Sequence, residues 1–189
     1  MRVIAGTARG RRLKELEGMD TRPTTDKVKE SMFNILQFDL DGRRVLDLFA
    51  GTGQLGIEAL SRGADHAVFV ERRADAVRLI RENLKATEFS GQAGVVQGDA
   101  LEFLAGRRER FDIILLDPPY EAGLLEPALE RIAGFDILSP HGIIVAEHPL
   151  GRPMPELPAP YVLYRTYRYG KIALTVWHRA GDERDEENT

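Results

Sequence analysis

"RVLDLFAGTGQLGIEAL", residues 44–60, carries three signals in one stretch. An aliphatic run holds Asp47 near its end, glycines follow at Gly51, Gly53 and Gly56, and an apolar helical pattern starts at Leu55. A strand, a turn that needs glycine and a helix, in that order, make the first half of a βαβ unit. Glycine lets the backbone turn sharply there and lets a ligand approach it closely. On its own the Gly-x-Gly-x-x-Gly spacing fits a dinucleotide-binding turn or a plain strand–helix junction equally well.

Working outward, the chain keeps alternating. "HAVFVE" (66–71), "AGVVQG" (93–98), "FDIILLD" (111–117) and "GIIVAEH" (142–148) read as strands. Between them lie helical stretches, of which "ADAVRLIRENLKA" (74–86) shows the clearest periodicity, at Ala76, Val77, Ile80 and Leu84. Near-continuous aliphatic strands between helices predict a parallel sheet covered on both faces. The last two strands, "PYVLYRTYRY" (160–169) and "KIALTVWHR" (171–179), are separated only by Gly170 and should pair antiparallel. The expected fold class is α/β, a doubly wound sheet of five parallel strands plus a C-terminal antiparallel hairpin.

Upstream, "RVIAGTARGRRL" (2–13) reads as a β-hairpin turning at Gly6 and Gly10. "TRPTTDKVKESMFNILQFDL" (21–40) reads as helical from about Thr25, with Thr24, Thr25 or Asp26 as its cap. The expected organisation is an N-terminal hairpin and helix (1–40), a core (41–180) and a disordered acidic tail (181–189).

Composition narrows the function classes. The chain has 189 residues, 43% of them apolar and 30% charged, a globular balance. It has no cysteine, which excludes disulfides and thiolate metal sites. The four histidines are scattered without ligand spacing, so no metal is expected. No apolar run approaches the ~20 residues of a membrane span, and a soluble cytoplasmic protein is expected. Net charge is −4, yet residues 1–14 carry Arg2, Arg9, Arg11, Arg12 and Lys14 and no acid. Such an arm suits a local anionic partner, or is simply a solvated charged hairpin.

Three acids decide what the glycine loop holds. Asp47, Glu71 and Asp99 fall at or near the C-terminal ends of the first three strands, the edge where open α/β sheets bind ligands. Glu71 is placed for ribose hydroxyls. Asp47 would repel a pyrophosphate but favour a sulfonium and an ammonium group. Asp99 could accept from an adenine amine, with the Ala100 N–H facing a ring nitrogen. Together they favour S-adenosylmethionine over a dinucleotide.

"DPPY", Asp117, Pro118, Pro119 and Tyr120, ends the fourth strand. The lone pair of a base amine is delocalised into the ring, which makes it a poor nucleophile. Acceptors on both of its N–H bonds favour pyramidalisation and stabilise the charge that develops during alkylation. Asp117 and the Pro118 carbonyl supply two acceptors, and the prolines remove backbone donors. Tyr120 can stack on the base.

"DLFAGTG", "VE" and "DPPY" resemble class I methyltransferases acting on exocyclic amines. "RVIAGTARGRRL", "TRPTTDKVKESMFNIL" and "GTGQLGIEALSRGA" restrict the resemblance to the bacterial small-subunit ribosomal RNA guanine-N2 methyltransferases. That resemblance implies a seven-stranded class I fold and methyl transfer from S-adenosylmethionine to N2 of one guanine in 16S RNA, free or in the small subunit. It implies that Asp47, Phe49, Gly51, Gly53, Glu71, Asp99 and Ala100 bind cofactor. It further implies that Asp117, Pro118, Pro119 and Tyr120 form the amine site, that Arg9, Arg11 and Arg12 grip RNA phosphate, and that residues 22–26 lie beside the methionine end. Arg72 and Arg73 stand where an acid often follows the ribose glutamate. The rival readings are an adenine-N6 methyltransferase, another exocyclic-amine methyltransferase or, from a different class, an NAD oxidoreductase.

Overall fold

The computed structural model describes residues 1–16 and 23–180, so Arg22 and the acidic 181–189 tail lie outside the described residues. Two compact units divide the chain, Met1–Ala100 and Leu101–Thr189.

In the first unit, α1 (Pro23–Ile35) precedes the alternation β1 (Arg44–Asp47), α2 (Gln54–Ser61), β2 (His66–Glu71), α3 (Ala74–Thr87) and β3 (Ala93–Gln97). The three strands are parallel in the order β3-β2-β1, with Asp47 opposite Phe69 and Glu71 opposite Gln97. The helix α1 starts at Pro23, ahead of the expected Thr25. Proline suits a first helical position because its fixed φ matches and its missing N–H would have had no partner. Val28, Met32 and Phe33 are buried along α1, and Leu36 just after it is buried too.

The expected N-terminal β-hairpin is not a pair of strands. Residues 1–16 close on one antiparallel bridge, Arg2 to Arg12, and the rest is turn and loop. The reason lies in α2, whose side chains take up the backbone donors that a ladder would use. Glu58, fully buried, accepts from the Ile4 N–H at 2.8 Å and the Ala5 N–H at 2.9 Å. Ser61 Oγ accepts from the Ala8 N–H at 3.0 Å and donates to the Ala5 carbonyl at 2.6 Å. Asn83 on α3 receives the Lys14 N–H at 2.7 Å and donates to the Lys14 carbonyl at 3.0 Å. Arg62 pairs with Glu58 at 2.8 Å. Lys29 stands 3.8 Å from Glu58, and its ammonium is held below its ordinary pKa chiefly by burial.

The short α4 (Ala100–Leu104) lies at the boundary between the units. The second unit then contains β4 (Phe111–Leu116), α5 (Leu125–Gly134), β5 (Leu138–Pro149), β6 (Tyr161–Tyr169) and β7 (Ile172–Arg179), its strands ordered β4-β5-β7-β6. β4 and β5 are parallel, with Leu116 opposite Ala146. β7 runs antiparallel to both β5 and β6, as the sequence suggests. It takes the inner place because Ala173, Leu174, Val176 and Trp177 are apolar on both faces and fully or almost fully buried. Each large side chain so buried contributes roughly 1.5–3 kcal/mol. β6, exposed along most of its length, is left at the edge. Asp136, just after α5, ties the hairpin down by accepting from Arg179 Nε at 2.9 Å and the Tyr161 hydroxyl at 3.0 Å. The Arg179 hydrogen bond is the main reason its carboxyl lies below the usual range.

Candidate active site

The glycine loop of the first unit is organised by its two acids. Asp47 closes β1 with 1% exposure. Its Oδ2 accepts from the Gly56 N–H at 2.9 Å, while Oδ1 is buried without a hydrogen-bond partner. Burial raises its pKa to about 7, opposed by the Gly56 hydrogen bond and reinforced by the Glu71 charge. An oxygen orphaned this way is satisfied by a donor or a cation and by little else. Glu71, at the end of β2, bridges the loop by accepting from the Gly51 N–H at 2.9 Å and the Arg73 N–H at 2.8 Å. Arg73 pairs sideways with Asp75, so the atypical basic pair does not neutralise Glu71 through an ion pair from Arg73.

Gly51 and Gly53 hold φ of 54° and 86°, and Gly53 opens α2. Gly56 answers a different need, since a Cβ there would come within 2.2 Å of Phe69 Cε1. Helix and strand therefore touch closely enough for the Gly56 N–H to reach Asp47. Phe49 is half-buried just before the loop. Asp99 follows the end of β3, half-buried, and the buried Ala100 begins α4. The structure thus brings Asp47, Gly51, Gly56 and Glu71 into one hydrogen-bonded loop.

In the second unit Asp117 follows the last residue of β4 and is exposed, Pro118 is buried and Pro119 is exposed. Tyr120 is 38% exposed and donates its hydroxyl to Glu147 at the end of β5. Burial first, and then the Glu147 bond, push the phenol above its ordinary pKa. It stays protonated and is a donor, not a base. Glu147 is itself raised by burial. Arg152 clamps Glu126 through two contacts at 2.8 Å and 2.6 Å and reaches the Tyr120 carbonyl at 3.4 Å. Sequence reading missed Glu147, Glu126 and Arg152. Glu147 had the same signal as Asp47 and Glu71, a carboxylate at the end of an aliphatic run, "GIIVAEH". Glu126 and Arg152 are far apart in sequence, and nothing local marks them as a pair.

Of the arginines expected at an anionic partner, Arg9 and Arg12 are exposed with no ion pair among the described residues. Arg11 is committed to Glu88 at 3.0 Å and the Ala86 carbonyl at 2.7 Å. In the 22–26 segment the side chains of Thr24 and Thr25, like Arg22, lie outside the described residues. No group of acids and histidines among the described residues could hold a metal ion. No helix among them is long and apolar enough to cross a membrane.

Comparison with known proteins covers most of the chain. The model of the family described as Conserved hypothetical protein 95 matches residues 1–178. YlbH of Bacillus subtilis (strain 168) is 45% identical over 96% of this chain and 100% of its own. Ribosomal RNA small subunit methyltransferase D of Escherichia coli (strain K12) is 38% identical over 95% of this chain and 90% of its own. The solved structure of yhhF from Escherichia coli superposes with a TM-score of 0.86 at 36% identity, covering 96% of this chain and 99% of that one. The seven-stranded class I methyltransferase fold that the sequence resemblance implies is therefore the fold of this chain.

Proposed function

The chain belongs to the Conserved hypothetical protein 95 family, and from that premise we propose that it transfers a methyl group from S-adenosylmethionine to the exocyclic N2 of a guanine in small-subunit ribosomal RNA. The observation that carries the reading is the Asp-Pro-Pro-Tyr ending of β4, its tyrosine hydroxyl held by Glu147, in a chain 38% identical to a small-subunit ribosomal RNA methyltransferase.

The first unit has the donor set that S-adenosylmethionine requires. Asp47 offers a buried carboxylate oxygen that lacks a partner, suited to an ammonium or sulfonium. Glu71 and the Gly51–Gly53 turn face ribose, Phe49 contributes an apolar wall, and Asp99 and the Ala100 N–H read the adenine. When bound, the cofactor supplies a methyl group made electrophilic by its positive sulfur.

The remaining work belongs to the second unit. Asp117 and the Pro118 carbonyl accept the two N–H bonds of the guanine amine and draw its lone pair out of conjugation. Tyr120 stacks on the base, and its orientation is fixed by Glu147 at the hydroxyl and by Arg152 at the backbone. No general base is needed before attack, because the amine becomes acidic once alkylated and can release its proton to Asp117. Rate comes from alignment and from acceptors already in place. Arg9 and Arg12, with Arg11 to a lesser degree, would hold RNA phosphate. The substrate is free 16S RNA or the small subunit, and the reaction is cytoplasmic.

The test is nucleoside analysis of ribosomal RNA from a strain lacking this gene after incubation with the pure protein and labelled S-adenosylmethionine. Label should appear in N2-methylguanine. Label in N6-methyladenine would reject guanine as the target. Thermal stabilisation by NAD, with none by S-adenosylhomocysteine, would reject the cofactor assignment.

A further inference from the structure

β6 is the outer strand of the second unit, and its composition is unusual for an edge. Residues 160–180 hold Arg165, Arg168, Lys171 and Arg179 with no Asp or Glu, in a chain whose net charge is −4. Arg179 is committed to Asp136. Arg165, Arg168 and Lys171 are exposed and form no ion pair with any described residue. Interleaved with them are Tyr164, 59% exposed, and the half-buried Tyr167 and Tyr169.

Register places Arg165, Tyr167 and Tyr169 on one face of the sheet, while Arg168, opposite Ala173, is on the other and Lys171 lies in the turn. Val162 is opposite His178, Arg165 opposite Val176, Tyr167 opposite Leu174 and Tyr169 opposite Ile172, with a bulge between Leu163 and Arg165. Directly opposed residues share a face of the sheet. The bulge brings Tyr164 onto that face as well, where its ring stacks on His178 with centroids 4.5 Å apart and planes 7° from parallel. Arg165 lies over the Tyr167 ring at 5.1 Å. Around the stacked pair is a hollow of about 450 Å³ lined by His141, Val162, Tyr164 and His178 among others. On β5 the same face carries Glu147, opposite Leu174, and Glu147 is the residue that holds Tyr120. The row therefore runs along one face to the level of the amine-site tyrosine.

We propose that β6 and the β6–β7 turn form a second RNA-contact surface, on which Tyr164, backed by His178, stacks an unpaired base while Arg165 on the same face and Lys171 in the turn neutralise phosphates. The occupant is nucleic acid because unpaired cations complement phosphate and an open aromatic stack accepts any base. A second copy adding a strand to this edge is disfavoured by the bulge and by the arginines, both of which blunt edge pairing. The inference rests on the RNA reading above, through the second unit alone.

The experiment uses the full-length protein and a fluorescein-labelled RNA hairpin with an unpaired loop, following anisotropy as a function of salt. Replacing Arg165 and Lys171 by Ala together should weaken binding at least about fivefold and lower the salt slope by about one to two. Tyr164→Ala should weaken binding about five- to tenfold with the slope unchanged, and Tyr164→Phe should restore it. Calorimetric affinity for S-adenosylhomocysteine should be unchanged in all three, which shows that the fold is intact. RNA affinity and slope equal to wild type would overturn the inference, and it would fall alone if N2-methylguanine is still formed. Loss of RNA binding in the variants of a protein that forms no N2-methylguanine would keep the surface and reject the guanine reading. Variants that convert a dimer to a monomer in sedimentation, with RNA affinity intact, would assign the edge to self-association and overturn it.

Discussion

Asp47 ends one parallel strand of aliphatic residues and Asp117 directly follows another, yet their surroundings are opposite. Asp47 is buried, holds one backbone N–H and leaves one oxygen without a partner. Asp117 is exposed between the end of β4 and two prolines. The buried acid is already desolvated, which strengthens its interaction with a cation and destabilises its ionised form meanwhile. The exposed acid is followed by two prolines and then by Tyr120, whose hydroxyl is held by Glu147. One unit carries a buried acid with an unpartnered oxygen, the other an exposed acid on a proline-stiffened backbone.

The largest expected effect breaks the chemical side of that contrast. Asp117→Ala should lower kcat by about a thousandfold, the scale of losing a group that stabilises transition-state charge. Calorimetry should find S-adenosylhomocysteine affinity intact, and a large loss of affinity would move Asp117 to the cofactor side.

The buried side is tested by pH. Its raised pKa means that the folded chain binds more protons than the unfolded one between the ordinary 3.8 and about 7. Stability contributed by protonated Asp47 is therefore full below that window and lost as pH rises through it, by up to about 4 kcal/mol. Asp47→Asn should remove the loss, so that the variant gains stability over wild type as pH rises from about 4 to about 7 in chemical denaturation, while binding cofactor about tenfold more weakly. Parallel pH profiles for the two proteins would show that Asp47 ionises freely in the fold.

Tyr120 sharpens the comparison from the stiff side. Tyr120→Ala should lower kcat/KM about five- to a hundredfold, the range of a lost base stack. Tyr120→Phe should cost less than about tenfold, the worth of one hydrogen bond. Equal losses in the two variants would mean that the hydroxyl matters more than the ring. The smallest effect is expected at the N-terminal arm. Arg9→Ala with Arg12→Ala should reduce the salt slope of RNA binding by just under two, and Arg11→Ala by less, because Glu88 already holds it. A dominant effect of Arg11 would mean that the Glu88 pair opens on binding.

Much of the fold was legible because its signals are local. β2 ends at Glu71, as its aliphatic run indicates, and Gly51, Gly53 and Gly56 mark the turn into α2. The N-terminal arm misled because "RVIAGTARGRRL" has strand-like residues, while its backbone donors are taken by Glu58 and Ser61, more than fifty positions away. The candidate site was legible where a carboxylate interrupts an apolar run. It was illegible where the signal is a pairing such as Arg152 with Glu126.

From the sequence alone came the strands, the glycine turn, the acids at strand ends and the tetrad whose two prolines remove backbone donors, since each is written in neighbouring residues through periodicity, φ preference or missing donors. Tertiary structure alone decided which acid is stranded in the interior, which hydroxyl Glu147 holds, and that "YVLYRTYRY" lies at an edge with Tyr164 stacked on His178. Burial and hydrogen-bond partnership depend on which distant segments pack together, and that is a property of the folded chain as a whole.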